Sequence, residues 1–255
     1  MPRSNVPVLV AATVVTVATL GWTMQEDPDP PSRAGGPAPT VASVPSASSH
    51  ADVSPTPTPS AQAPSPSPLV SPTSPYGEVP AVGNGQLEIV PGSVAAPGTG
   101  PVKTVRVESE GGLGIDGMAI ADEVMTTLNE PRSWGAGGRM TFARTDGDAD
   151  IRLVLASPDT SAALCSAHDT GGRLSCAMGN TAIITLYRWV YGSEGYGTDI
   201  GGYRQYVVNH EVGHVLGHGH VGCPAAGQLA PVMVQQTKGL QGCAPNPWPY
   251  PDGIG

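Results

Sequence analysis

The chain of 255 residues carries a net charge of −9 and a pI near 5.0, with no lysine or arginine cluster, which argues against nucleic acid as a partner. Its 28 prolines and 34 glycines, with aromatic residues at only 5%, confine any real core to part of the length. Four cysteines and six histidines, most of them in the last hundred residues, carry the remaining information.

Residues 6–24, VPVLVAATVVTVATLGWTM, form an uncharged apolar run behind Arg3. Such a run is either an export signal or a single membrane anchor. The stretch TLGWTMQ offers a poor small-residue cleavage site, and the run is near bilayer-spanning length, which favours the anchor. Arg3 before it and acidic residues after it suit an inside-to-outside orientation. Residues 25–80 are rich in Pro, Ser, Ala and Thr and read as an extended spacer that cannot repay the entropy of folding. Residues 81–102 are still rich in Gly and Pro, so the domain boundary is placed near Pro101. The resulting plan is 1–25 signal or anchor, 26–100 disordered linker and 101–255 folded domain. The expected location is extracellular, either secreted or held at the cell membrane by the N-terminal segment.

The folded part opens with VKTVRVES, an alternating strand over 102–109. Apolar spacings of three and four in IDGMAIADEVMTTLNE predict a helix over 115–130, with Pro131 beyond its end. RMTFAR at 139–144, DIRLVLA at 150–156 and TAIITLYRWV at 181–190 read as strands, and GGYRQYVVNHEVGHVLG at 201–217 as a second helix. That order describes an α/β (or α+β) sheet with helices packed on it. Export would make disulfides of Cys165, Cys176, Cys223 and Cys243. Sequence order suggests 165 with 176 and 223 with 243, although four cysteines allow three pairings.

HEVGHVLGHGH, residues 210–220, places four histidines and a glutamate in one short stretch. On a helix His210 and His214 stand one turn apart on one face, with Glu211 beside them. Gly217 would end the helix and turn the chain back, so that His220 becomes the third metal ligand. A helix that continued would instead offer His218. The glycines at 217, 219 and 222 favour His220. Three imidazoles leave one tetrahedral position open, the arrangement of a catalytic rather than a structural Zn2+ site. Zinc there would acidify a water, and Glu211 would take its proton as general base. A purely structural site needs no such base. His168 and Asp169, inside a probable disulfide loop, read as cleft wall or surface, and Tyr203 and Tyr206 as core or cleft edge.

The stretch matches the H-E-x-x-H-x-x-G-x-x-H signature of the metzincin zinc peptidases, which this domain resembles over about residues 101–250. The resemblance implies a small twisted mixed sheet with a backing helix and an active-site helix, and a zinc cleft below an edge strand supplied by TAIITL. It makes Met233, in PVMVQQ, the methionine of the turn beneath the metal, and His210, His214 and His220 the zinc ligands. Some metzincins carry a tyrosine two residues after that methionine, where this chain has Gln235, and many carry a polar residue just after the third histidine, where it has Val221. From TVRVES through VNHEVGHVLGHGHVGC to PVMVQQTKGLQGC the domain also resembles the actinobacterial DUF3152 family of exported domains. The implied activity is hydrolysis of a protein or peptide substrate, cell-wall peptide being one alternative, by a monomer. A zinc-containing surface binding module without turnover is the other.

Overall fold

The computed structural model describes residues 78–253. β1 (Leu87–Ile89), β2 (Val102–Glu110), α1 (Gly117–Leu128), β3 (Thr141–Arg144), β4 (Ile151–Ala156), α2 (Pro158–Leu164), β5 (Cys176–Met178), β6 (Thr181–Thr185), α3 (Leu186–Tyr191) and α4 (Ile200–Val215) follow in that order. The strands form one mixed sheet with flanking helices. Its path is β1-β2-β4-β6-β5, with β3 pairing to the first half of β2 beside β1. β2, β3, β4 and β6 run parallel, whereas β1 and β5 are antiparallel additions.

Alternation in β2 buries Val105 and Val107 on one face, where they meet Leu153 and Leu155 of β4 and Ile184 of β6. α1 begins at Asp116, whose carboxylate accepts from the backbone of Met118 at 2.9 Å and Ala119 at 3.3 Å. It sends Ile120, Val124 and Leu128 into the same core. α4 brings Tyr203, Tyr206, Val207, Val208 and Val212 to that face, all at most 1% exposed. At roughly 1.5–3 kcal/mol for each fully buried large apolar side chain, this packing fixes the helix far better than its own propensity could. The opposite face of the sheet carries Glu108, held by Arg152 at 2.7 Å and Arg106 at 2.9 Å. Ile183, in register with Val154 and Glu108, lies on that same face, where it and the Cys165–Cys176 disulfide form a separate satellite of the core.

The fold departs from the sequence expectations at four places. The sheet starts before Pro101, because β1 pairs with β2 and the preceding chain is tied down. The Glu110 carboxylate accepts from Gly83 and Gly85, and buried Arg144 donates to the carbonyls of Val90 and Pro91, both at 2.9 Å. TAIITLYRWV is a strand only to Thr185; Leu186, Trp189 and Val190 then take helical spacing and are buried in α3. TAIITL is also not the edge strand: β5 pairs antiparallel on the outer side of β6 and forms the edge itself. The membrane anchor is also withdrawn. No helix among the described residues is long and apolar enough to cross a membrane, and residues 6–24, on which the anchor, the membrane partner and the anchored location rested, lie outside them. The linker over 26–77 lies outside them as well.

Candidate metal centre

α4 starts at Asp199, whose side chain accepts from Gly202 N–H at 2.9 Å, and it ends in a Schellman cap. Gly217, at φ 93°, donates to the His214 carbonyl at 3.0 Å, and His218 N–H reaches back to the Gly213 carbonyl at 2.9 Å. A left-handed residue is required there, and glycine adopts it without steric cost. The reversal swings His220 back over the helix. The ligating atoms of His210, His214 and His220 all lie within 4.8 Å of one another.

Two of the three rings are oriented by backbone. Nδ1–H of His210 donates to the Val232 carbonyl at 2.8 Å, and Nδ1–H of His214 donates to the His218 carbonyl at 2.8 Å. A carbonyl can only accept, so each bond puts the proton on Nδ1 and leaves Nε2 with a free lone pair. His214 Nε2 and His220 Nε2 are 3.0 Å apart. A proton or a cation must stand between nitrogens that close. A tetrahedral ion with bonds of ~2.0–2.1 Å separates its ligand nitrogens by roughly 3.3 Å, so to hold such an ion the 3.0 Å pair opens slightly and the wider separations, up to 4.8 Å, close by rotation of the side chains. His218 is not one of the three; its ring stacks on Trp134, with centroids 4.3 Å apart.

Burial, outweighing the bond to Val232, pushes His210 down to about 3, so this ring stays neutral at ordinary pH and its lone pair is available. His220 is also held below its usual value, first by burial and then by the neighbouring His214, Lys238 and His168. Burial alone raises the Glu211 carboxyl to about 8. Only 4% exposed, Glu211 accepts no hydrogen bond among the described residues. A divalent cation beside it would favour the ionised form again.

Below the helix, the turn around residues 231–236 is clamped by Tyr206, which donates to the Val234 carbonyl at 2.9 Å and accepts from Gln236 N–H at 2.8 Å. The clamp places the Val232 carbonyl under His210. It also sets Met233 against Gly213, between the two helical histidines, where a β-carbon would stand 2.6 Å from the methionine sulfur. The three histidines and Glu211 open into a cleft of about 320 Å³. One wall is the edge strand with the loop before it, including His168, Asp169 and Cys176; the other includes Gln235, Thr237 and Lys238. Disulfides join Cys165 to Cys176 on the first wall and Cys223 to Cys243 behind the second.

His168 and Asp169, cleft wall or surface by sequence, and Tyr206, core or cleft edge by sequence, line this cleft; the sequence does not single out Thr237 and Lys238 on its wall, or Trp134 against α4. Lysine in a run of polar residues carries no positional signal, and Trp134 reaches α4 from far away in sequence. A family model described as "Protein of unknown function (DUF3152)" matches residues 73–251, more than half of the chain. The chain belongs to the DUF3152 family. No curated protein and no solved structure matches it. The match begins well before Pro101, in keeping with the extra strand β1 of this DUF3152 domain.

Proposed function

We propose that the domain is a zinc-dependent, metzincin-like peptide hydrolase, with His210, His214 and His220 as ligands and Glu211 as general base. The observation that carries this reading is the buried, unbonded Glu211 next to the three histidines. A carboxylate largely shielded by the protein, facing the cleft and engaged by no donor, is unnecessary for simply holding a metal, so its place points to proton transfer. Zinc, when bound, supplies a Lewis acid for a substrate carbonyl and acidifies water. Glu211 accepts the proton from the attacking water on a carboxylate oxygen and returns it to the departing amine. The backbone bonds to Nδ1 of His210 and His214 hold both rings in the ligating tautomer, and Met233 serves as a packed floor. Edge strand β5 lies beside the cleft, and its free side can hold an extended peptide by backbone hydrogen bonds.

A second reading, a zinc-containing binding module without turnover, requires only the three histidines. It is favoured by Gln235 standing where some metzincins place a tyrosine. Tyr206 cannot replace that tyrosine, since its hydroxyl is engaged with Val234 and Gln236.

The deciding experiment measures zinc content and hydrolysis of casein, a peptide library and cell-wall peptide by wild type and Glu211→Gln. About one zinc in both proteins, with cleavage only in wild type, is the expected result. Equal zinc with no turnover on any of the three substrates in either protein would establish the binding module instead.

A further inference from the structure

Trp134 does not line the cleft, yet it touches the metal-binding segment at three points. Its Nε1–H donates to the Asn209 carbonyl at 2.9 Å, one residue before His210. Its six-membered ring packs against Gly213, one residue before His214, where a β-carbon would stand 2.6 Å from Cζ2. Its face stacks on the His218 imidazole, with 15° between the planes. Trp134 itself is 5% exposed, with Tyr250 edge-on to it.

The His218 turn has little else to hold its side. Gly217 and Gly219 flank it, and a β-carbon at either would meet nothing within 4 Å. Yet this turn must be well placed, because the His218 carbonyl fixes the His214 ring and the next two residues deliver His220. The backbone bonds of the cap set its starting direction. The indole is the surface on which it rests.

We propose that Trp134 and His218 form a positioning pair for the metal centre, resting on the metal-site reading above. The stack holds the turn so that the His218 carbonyl keeps the proton of His214 on Nδ1 and His220 arrives opposite His214 Nε2. His218 acts through its ring face and its backbone, and contributes no ligand.

The test uses the full chain with His218→Ala, which removes the stack but keeps the carbonyl, and His218→Phe, which keeps a flat ring but removes the imidazole nitrogens. Zinc affinity is measured by competition with a chromophoric chelator, and stability by urea unfolding of the metal-free proteins. Loss of a group that orients a metal ligand typically costs about 10–100-fold in affinity. His218→Ala is expected to bind zinc about tenfold or more weakly, with an unchanged urea midpoint, and His218→Phe to bind within about threefold of wild type. Unchanged affinity in His218→Ala would overturn the pair and leave the metal site standing. Equal losses in both variants would overturn it too, by making the imidazole itself a ligand. Long-range 1H–15N spectra of the metal-free proteins give a readout that needs no zinc. Nδ1-protonated His214 in wild type and His218→Phe, with a tautomer mixture in His218→Ala, is expected. If wild type binds no zinc the metal reading fails, and these spectra alone decide the pair: the same His214 tautomer in all three proteins overturns it.

Discussion

Replacing Gly213 by alanine sets two effects of opposite sign against each other. At an unobstructed position inside a helix, alanine is more stable than glycine by about 1 kcal/mol. Here the new β-carbon would stand 2.6 Å from the Met233 sulfur and 2.6 Å from Trp134 Cζ2, roughly 1 Å inside ordinary contact. Met233 is flexible and can move aside. Trp134 is not free to do so, since its Nε1–H is bonded to Asn209 and its face lies on His218. Overpacking of this kind costs typically 1–3 kcal/mol, and relief would require moving the indole or α4 itself. The helix gain offsets part of that, so Gly213→Ala is expected to destabilise the metal-free domain by up to about 2 kcal/mol and to weaken zinc binding as the histidines shift. Urea unfolding at fixed pH measures the first effect, and chelator competition the second. A variant that unfolds above the wild-type midpoint, as the unobstructed helix gain alone would give, would refute the claim that the indole is a fixed wall.

Three further outcomes are expected. Zinc at a hundred times its dissociation constant should stabilise the domain by about 2.7 kcal/mol, reversed by a chelator and absent in His210→Ala, as read by thermal unfolding with and without metal. Burial pushes the Glu110 carboxyl up, but its bonds from Ser157, Gly85 and Thr160 bring it below its ordinary 4.5. A depressed value means stability present above the unfolded pKa and lost as pH falls through the folded one, so denaturant midpoints should fall with pH below about 4.5 more in wild type than in Glu110→Gln. Removing the Cys223–Cys243 bond, whose ends are 20 residues apart, should cost about 3 kcal/mol by the chain-entropy relation, measured with Cys223→Ser/Cys243→Ser in denaturant.

Helix α4 is legible in the sequence because its one-turn histidine spacing and its terminating glycine agree. The expected span of 201–217 differs from Ile200–Val215 only at its ends. The histidine spacing is fixed by helical geometry, so the meeting of His210 and His214 needs no tertiary knowledge; that of His220 needs only the left-handed glycine. TAIITLYRWV is harder, since a short continuous apolar run is compatible with strand and helix alike, and α3 is only six residues long. Edge strand β5 has three residues, too few for any periodicity, although Gly179-Asn180 ahead of β6 is a hairpin turn signal. The early sheet partner β1 lies in Gly- and Pro-rich sequence whose order depends on a single buried carboxylate and on Arg144, neither of which local pattern can announce. Trp134 illustrates the same limit at the site. Its partners are 75 residues or more away, and only the folded chain brings them together.

The Cys165–Cys176 bond brackets the loop that forms one wall of the cleft. A loop tied at both ends has already lost much of its freedom when the domain folds, so little remains to be lost when a ligand arrives. Recognition then approaches selection by a preformed surface. Reduction of that bond would leave the contacts chemically the same while adding an ordering cost at each encounter, seen calorimetrically as a less favourable entropy of binding.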